Sequence, residues 1–167
     1  MLGEGSLTFR EFAMGEPVPL AVVHESVLGF LRDRDDAVVF GAQAVNAYVD
    51  VSRMTQDVDI CSTRGKQIAA ELQQHLAEQF HIAVRVREIG EGAGYRVYQL
   101  TKPKNRHLVD IRQVDGLPAS QRIDGVLVVT PIELLASKVL AYCRRKGKPK
   151  AGTDCATSPI CCWSFPI

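Results

Sequence analysis

The sequence predicts an α+β fold, a mixed β-sheet with helices packed on it. Three observations carry this. Apolar residues recur at helical spacing in two separate segments, Leu20, Val23, Val27, Phe30 and Leu31, and then Ile68, Leu72 and Leu76. Between and after them lie short segments that alternate polar and apolar residues or run apolar up to a glycine. The order reads helix, strand, helix, strand, helix, three or four strands, helix, which suits a mixed sheet rather than a regular βα repeat.

The elements follow in chain order. The first helix ends in the charged stretch Arg32 to Asp36, and Ala37-Val38-Val39-Phe40 reads as a buried strand ending at Gly41. Gln43 to Val49 reads as a short helix with Val45 and Val49 on one face. Asp57-Val58-Asp59-Ile60 alternates and reads as a strand, followed by a long helix ending near Phe80. Ile82, Val84 and Val86 alternate with Ala83, Arg85 and Arg87, as in a half-buried strand. Gly90 to Gly94 is a turn, read as a hairpin rather than a phosphate loop, and Arg96 to Leu100 is the returning strand. Leu108 to Val114 and Val126 to Val129 are further strands. Thr130-Pro131-Ile132-Glu133 then starts a helix that runs to about Arg145: Thr130 suits the cap, Pro131 the first helical position, and Glu133 can reach back to the cap.

Composition bounds the function. A chain of 167 residues with 46% hydrophobic and 23% charged residues is long enough for one core and is not the composition of a disordered protein. A net charge of +1 gives no bulk signal for nucleic acid. The N-terminal residues lack a secretory pattern, and no apolar run approaches the ~20 residues of a membrane span, so a cytoplasmic protein is expected. Cys61 and Cys143 have no CxxC partner and read as reduced thiols; His24, His75, His81 and His107 share no ligand spacing, and His107 alone stands near the candidate site.

The chemistry starts at Asp57 and Asp59. Two residues apart on a strand they share a face, and like charges so close raise each other's pKa unless a cation or partner is present. Asp110, polar between Val109 and Ile111, supplies a third carboxylate from another strand. Three such groups suit one or two Mg²⁺ ions, which take oxygen ligands together with substrate phosphates. Gly41-Ala42 closes a strand and opens a helix, where backbone N–H groups can approach a phosphate. Arg53 and Thr55 precede Asp57 at alternate positions and add a cation and a hydroxyl.

Phe40-Gly41-Ala42, the sixteen-residue step from Gly41 to Asp57, and Arg53-x-Thr55-x-Asp57-x-Asp59 together resemble the signature of the DNA polymerase β-like nucleotidyltransferase superfamily, in particular the small bacterial group that includes AbiEii-type toxins. Thr130-Pro131-x-Glu133-Leu134-Leu135-Ala136-x-Lys138 resembles that family's later helix, and the basic run and Asp154 its last motif. The resemblance covers about residues 40–154 and implies a nucleotidyltransferase fold, a short mixed β-sheet flanked by helices, in a single domain over residues 1–154. It also implies an Mg²⁺-dependent, toxin-type enzyme that moves a nucleoside monophosphate from ATP or another NTP to an RNA (a tRNA among them), protein or small-molecule hydroxyl. On that reading Asp57, Asp59 and Asp110 are catalytic and bind metal. Gly41, Ala42, Arg53, Thr55 and Lys138 bind nucleotide, and the partners are an antitoxin or a second copy of the chain. The family usually has Gly-Gly or Gly-Ser where this chain has Gly41-Ala42, which keeps open the alternative of a catalytically inactive nucleotide- or partner-binding module.

Plainer readings stand beside these. Asp110 can pair with Arg112 on an exposed strand, Lys138 can snorkel over apolar surface, and Arg53 can be a simple counter-ion. The cations from Arg144 to Lys150 suit a helix C-terminus, with Gly147 as its stop, as well as they suit RNA phosphates.

The last thirteen residues, 155–167, carry Cys155, Cys161, Cys162 and Trp163 but no charged side chain, and Pro159 would interrupt a helix there. Cysteine and tryptophan codons begin TG. A one-base shift of frame therefore forces leucine directly after Asp154 and at the positions held by Cys162 and Trp163, and leucine or methionine at Cys161. Permitted codons give Leu-Arg-Asp-Leu-Ala-Asn-Leu-Leu-Leu-Glu-Phe-Pro-Asp, which has helical periodicity. The tail is thus read as a frameshifted replacement for a family-like helix, with a genuine but unusual tail, or one introduced in cloning, as the alternative. Translation of the encoding DNA in the alternate frame should yield that helix; a frame without it removes this reading.

Overall fold

The computed structural model describes residues 18–51 and 54–145. Its sheet is organised around β2 (Val58–Ser62), whose burial on nearly every residue fits a strand covered on both sides. On one side β2 runs antiparallel to β1 (Ala37–Phe40), and on the other parallel to β5 (Arg106–Gln113). The hairpin β3 (Val84–Ile89) and β4 (Gly94–Gln99) continues from β5, with β4 antiparallel to it. Beyond β1 lie β7 (Val126–Val129), parallel to β1, and β6 (Ser120–Ile123), antiparallel to β7. The seven strands take the order β3-β4-β5-β2-β1-β7-β6, a mixed sheet as expected.

Helix α1 (Leu20–Leu31) buries Val23, Val27 and Leu31, and α3 (Gly65–Phe80) buries Ile68, Leu72, Leu76 and Phe80, each one stripe at helical spacing. These two helices touch, and α3 spans strands β2 to β5. Arg34, just past α1, binds Asp36 and Glu71 of α3 at 2.9 and 2.8 Å, so the charged stretch ties helix to helix. The short α2 (Gly41–Asn46) packs on β1 and β2 and touches α4 (Pro131–Arg145). The buried faces of α1, α3 and the sheet form one apolar cluster.

Several boundaries differ from the sequence expectation. The second helix starts at Gly41 and ends at Asn46, so Val49 lies beyond it. The strand expected from Asp57 begins at Val58, leaving Asp57 in the bend before β2. β6 is an additional strand: an exposed edge segment with no apolar alternation gives periodicity nothing to find. Its signal is the turn, because Asp124 and Gly125 both have positive φ, as a two-residue hairpin loop requires. Gly125 is also fixed by space, since a Cβ there would sit 2.7 Å from Arg32 Cγ. The Gly90 to Gly94 segment is a hairpin turn, as expected.

Residues 1–17, Arg53, the run from Lys146 to Lys150, Asp154 and the tail 155–167 lie outside the described residues. No helix among the described residues is long and apolar enough to cross a membrane.

Truncating a fully buried side chain of the α3 stripe should be costly. Phe80→Ala is expected to lower the unfolding free energy by about 3–5 kcal/mol in urea titrations; a loss below about 1 kcal/mol would contradict the role of this helix in closing the core.

Candidate active site

Strand register assembles the site. Phe40 on β1 pairs with Asp59 on β2, and Asp59 pairs in turn with Asp110 on β5. Neighbouring residues in register on adjacent strands point to the same face, so the two carboxylates lie side by side. Asp57, two residues upstream in the bend before β2, joins them: its Oδ2 lies 3.1 Å from Nδ1 of His107, whose Nε2 is 3.7 Å from Asp110 Oδ1.

Asp59 is packed against backbone. Gly41, the residue after Phe40, has φ +73°, and a Cβ on it would lie 2.1 Å from Asp59 Oδ2. Only glycine satisfies both the left-handed conformation and the space taken by the carboxylate. Ala42 follows in the first turn of α2 and is exposed. Because α2 has six residues, any help it gives an anion comes from its local amides rather than from a long helix dipole.

The electrostatics centre on Asp59. Burial, then the charges of Asp57 and Asp110, push its carboxyl up from the ordinary 3.8 to about 6, against the opposing pull of Arg112 and Lys138. Lys138, half-buried on α4, is therefore close enough for its charge to reach Asp59. The other two carboxylates have near partners. Arg96 on β4, directly across from Asp110 in register, donates from Nε to its Oδ1 at 2.9 Å. Arg112, two residues after Asp110, lies over the Phe40 ring, 4.9 Å from its centroid.

Phe40, Asp59, Arg96, Asp110 and Arg112 line a cleft of about 250 Å³. A larger cleft of about 820 Å³ opens between α1, α2 and β7, with Gln43 and Thr55 on its wall, and none of the three aspartates lines it. The smaller cleft holds the reactive groups, and volume alone does not make the larger one a site. Thr55 is buried, and its hydroxyl donates to Gln43 Oε1 at 2.9 Å, tying α2 to the segment before β2.

The structure thus brings together Gly41, Asp57, Asp59 and Asp110, sets Lys138 within electrostatic reach, and turns the Thr55 hydroxyl toward Gln43. Sequence reasoning did not find Arg96, and it gave His107 no role. Both depend on pairing across strands, which leaves no local pattern. Asp57, His107 and Asp110 each offer one ligand atom within 4.8 Å of the others, a donor set fit for a divalent cation.

The raised Asp59 pKa makes a sign-definite prediction for the metal-free protein. Between pH 3.8 and about 6 the folded state holds a proton that the unfolded state has lost, so stability falls as pH rises through this window and stays low above it. At ~1.4 kcal/mol per pKa unit the loss is at most about 3 kcal/mol. Asp59→Asn should therefore unfold at higher urea than wild type at pH 7 and lack the slope between pH 4 and 6. An Asn variant no more stable at pH 7 than wild type contradicts this account.

No protein-family model matches the sequence, and no curated protein matches it. Solved structures do. The Megavirus polyadenylate synthase superposes with TM-score 0.65 at 18% identity, over 89% of this chain and 33% of that one. The Helicobacter pylori protein JHP933 gives 0.57 at 14%, over 89% and 64%. A nucleotidyltransferase toxin from Mycobacterium tuberculosis gives 0.55 at 16%, over 81% and 57%. The chain spans between about a third and two-thirds of the length of these structures. Its mixed seven-stranded sheet with flanking helices is the nucleotidyltransferase fold.

Proposed function

We propose that the protein is a metal-dependent nucleotidyltransferase that moves a nucleoside monophosphate from an NTP to a hydroxyl acceptor and releases pyrophosphate. The observation that carries this is the convergence of Asp57, Asp59 and Asp110 beside Gly41, with Asp59 made costly to ionise by burial and by its two neighbours. Oxygen donors held together at such a cost fit one or two Mg²⁺ ions, and the ligands would be these three aspartates. Bound there, the cation would neutralise charge on the phosphates as the α-phosphoryl group transfers.

The chain's own residues supply the rest. Gly41 lets the backbone turn tightly against the Asp59 carboxylate, and the Ala42 N–H in the first turn of α2 would meet a phosphate there. Lys138, and Arg53 from outside the described residues, add positive charge for the triphosphate. Arg96 orients Asp110, which takes the proton of the acceptor hydroxyl. The hydroxyl oxygen bonds to the α-phosphorus, the bond to the bridging oxygen breaks, and pyrophosphate leaves with that electron pair. The likeness to a structure named polyadenylate synthase makes RNA the first acceptor to try, with tRNA, protein and small hydroxyl compounds as the others. The likeness to a nucleotidyltransferase toxin supports an antitoxin as partner, with self-association as the other assembly to test, and an NTP-consuming activity fits the cytoplasm.

One observation favours a second reading, a nucleotide-binding module without catalysis: Arg96 and His107 already answer the charges of Asp110 and Asp57. Radiolabelled NTP transfer separates the two. Wild type with Mg²⁺ or Mn²⁺ should label an acceptor, and Asp57→Ala combined with Asp59→Ala should lose at least ~10²-fold. Nucleotide binding without transfer supports the module, and equal labelling by both proteins defeats the enzyme reading.

A further inference from the structure

His107 reaches the site through a break in strand pairing. Between β4 and β5, Val97 pairs with Val109 but Tyr98 pairs with His107, so Leu108 is one residue too many. Residues three apart on a regular strand point to opposite faces. The bulge restores the parity, so the His107 imidazole joins the face of Asp110 while Leu108 and Val109 are both buried. Bulges next to active sites commonly re-aim a side chain in this way.

The imidazole bridges two carboxylates. Nδ1 is 3.1 Å from Asp57 Oδ2. Nε2 lies 3.7 Å from Asp110 Oδ1, and among the described residues this buried nitrogen has no hydrogen-bond partner. A partnerless imidazole nitrogen beside a carboxylate leaves space for a cation between them, and Asp57, His107 and Asp110 offer ligand atoms that all lie within 4.8 Å of one another. Two donors each ~2.1 Å from one ion lie roughly 3.0–4.2 Å apart, which brackets the observed gap.

We propose that His107 is an imidazole ligand of the divalent-metal site, and that it biases the site toward an imidazole-accepting ion such as Mn²⁺ over Mg²⁺. The inference rests on the metal site of the reading above and adds to it a nitrogen donor and an ion preference. Imidazole suits transition ions, whereas Mg²⁺ holds to oxygen.

The test needs no turnover. Mn²⁺ added to the metal-free wild-type chain is examined by pulsed electron paramagnetic resonance, and Mn²⁺ and Mg²⁺ affinities are measured by calorimetry. Wild type should show a histidine-nitrogen coupling that disappears in His107→Gln. That variant should lose ~10–100-fold in Mn²⁺ affinity and much less for Mg²⁺. Wild-type Mn²⁺ without nitrogen coupling, no Mn²⁺ binding at all, coupling that survives in the variant, or equal losses for both ions would each overturn the proposal. A variant that folds poorly does not blur the result, because the coupling is read first in wild type. NMP transfer with Mg²⁺ but no nitrogen coupling would leave the enzyme reading standing and this proposal fallen, and nitrogen coupling without any transfer would do the reverse.

Discussion

Asp59 and Asp110 sit opposite each other on neighbouring parallel strands, and much of the site answers the repulsion that this register imposes. The sheet cannot relieve it by sliding. A one-residue slip of β2 would turn Val58 and Ile60 out of the core and Asp59 into it. Burial of the strands thus holds the carboxylates together, and their charge must be met locally. Arg96 comes from β4, Arg112 from β5 itself and Lys138 from α4, so three elements contribute cations to one cluster.

Gly41 shows the same constraint from the backbone side. The chain leaves β1 and enters α2 at a residue whose missing side chain is where the Asp59 carboxylate lies. The turn and the carboxylate occupy one space by mutual exclusion, so the first turn of α2 and the acidic cluster are placed by a single packing event. Thr55 also holds this first turn through Gln43. The rigidity of this corner comes from contact and hydrogen bonding rather than from helix length.

The sequence was most legible where the information is local. The stripes of α1 and α3 repeat a simple period, Pro131 marks the start of α4, and the aspartates around Val58 are visible as a spacing. Legibility failed where partners come from other strands. Arg96 is one exposed arginine among several until β4 is laid against β5. β6 has no apolar face to betray it, and only the Asp124-Gly125 dipeptide encodes it. Helix α4 departs in another way: Leu134 is buried, whereas Ile132 is 81% exposed and Val139 52% exposed, so its apolar content does not reflect packing among the described residues.

The bulge at Leu108 has a bearing on how such a site can change. Which side chains face the acidic cluster from the start of β5 is set by strand pairing as well as by residue identity. Regular pairing through Leu108 would leave every amino acid in place and still turn His107 to the opposite face, whereas losing Leu108 would put His107 two residues from Asp110 and keep both on one face. What faces the acidic cluster from this end of β5 therefore depends on where the backbone absorbs one extra residue, a matter of strand pairing and not of the residues alone.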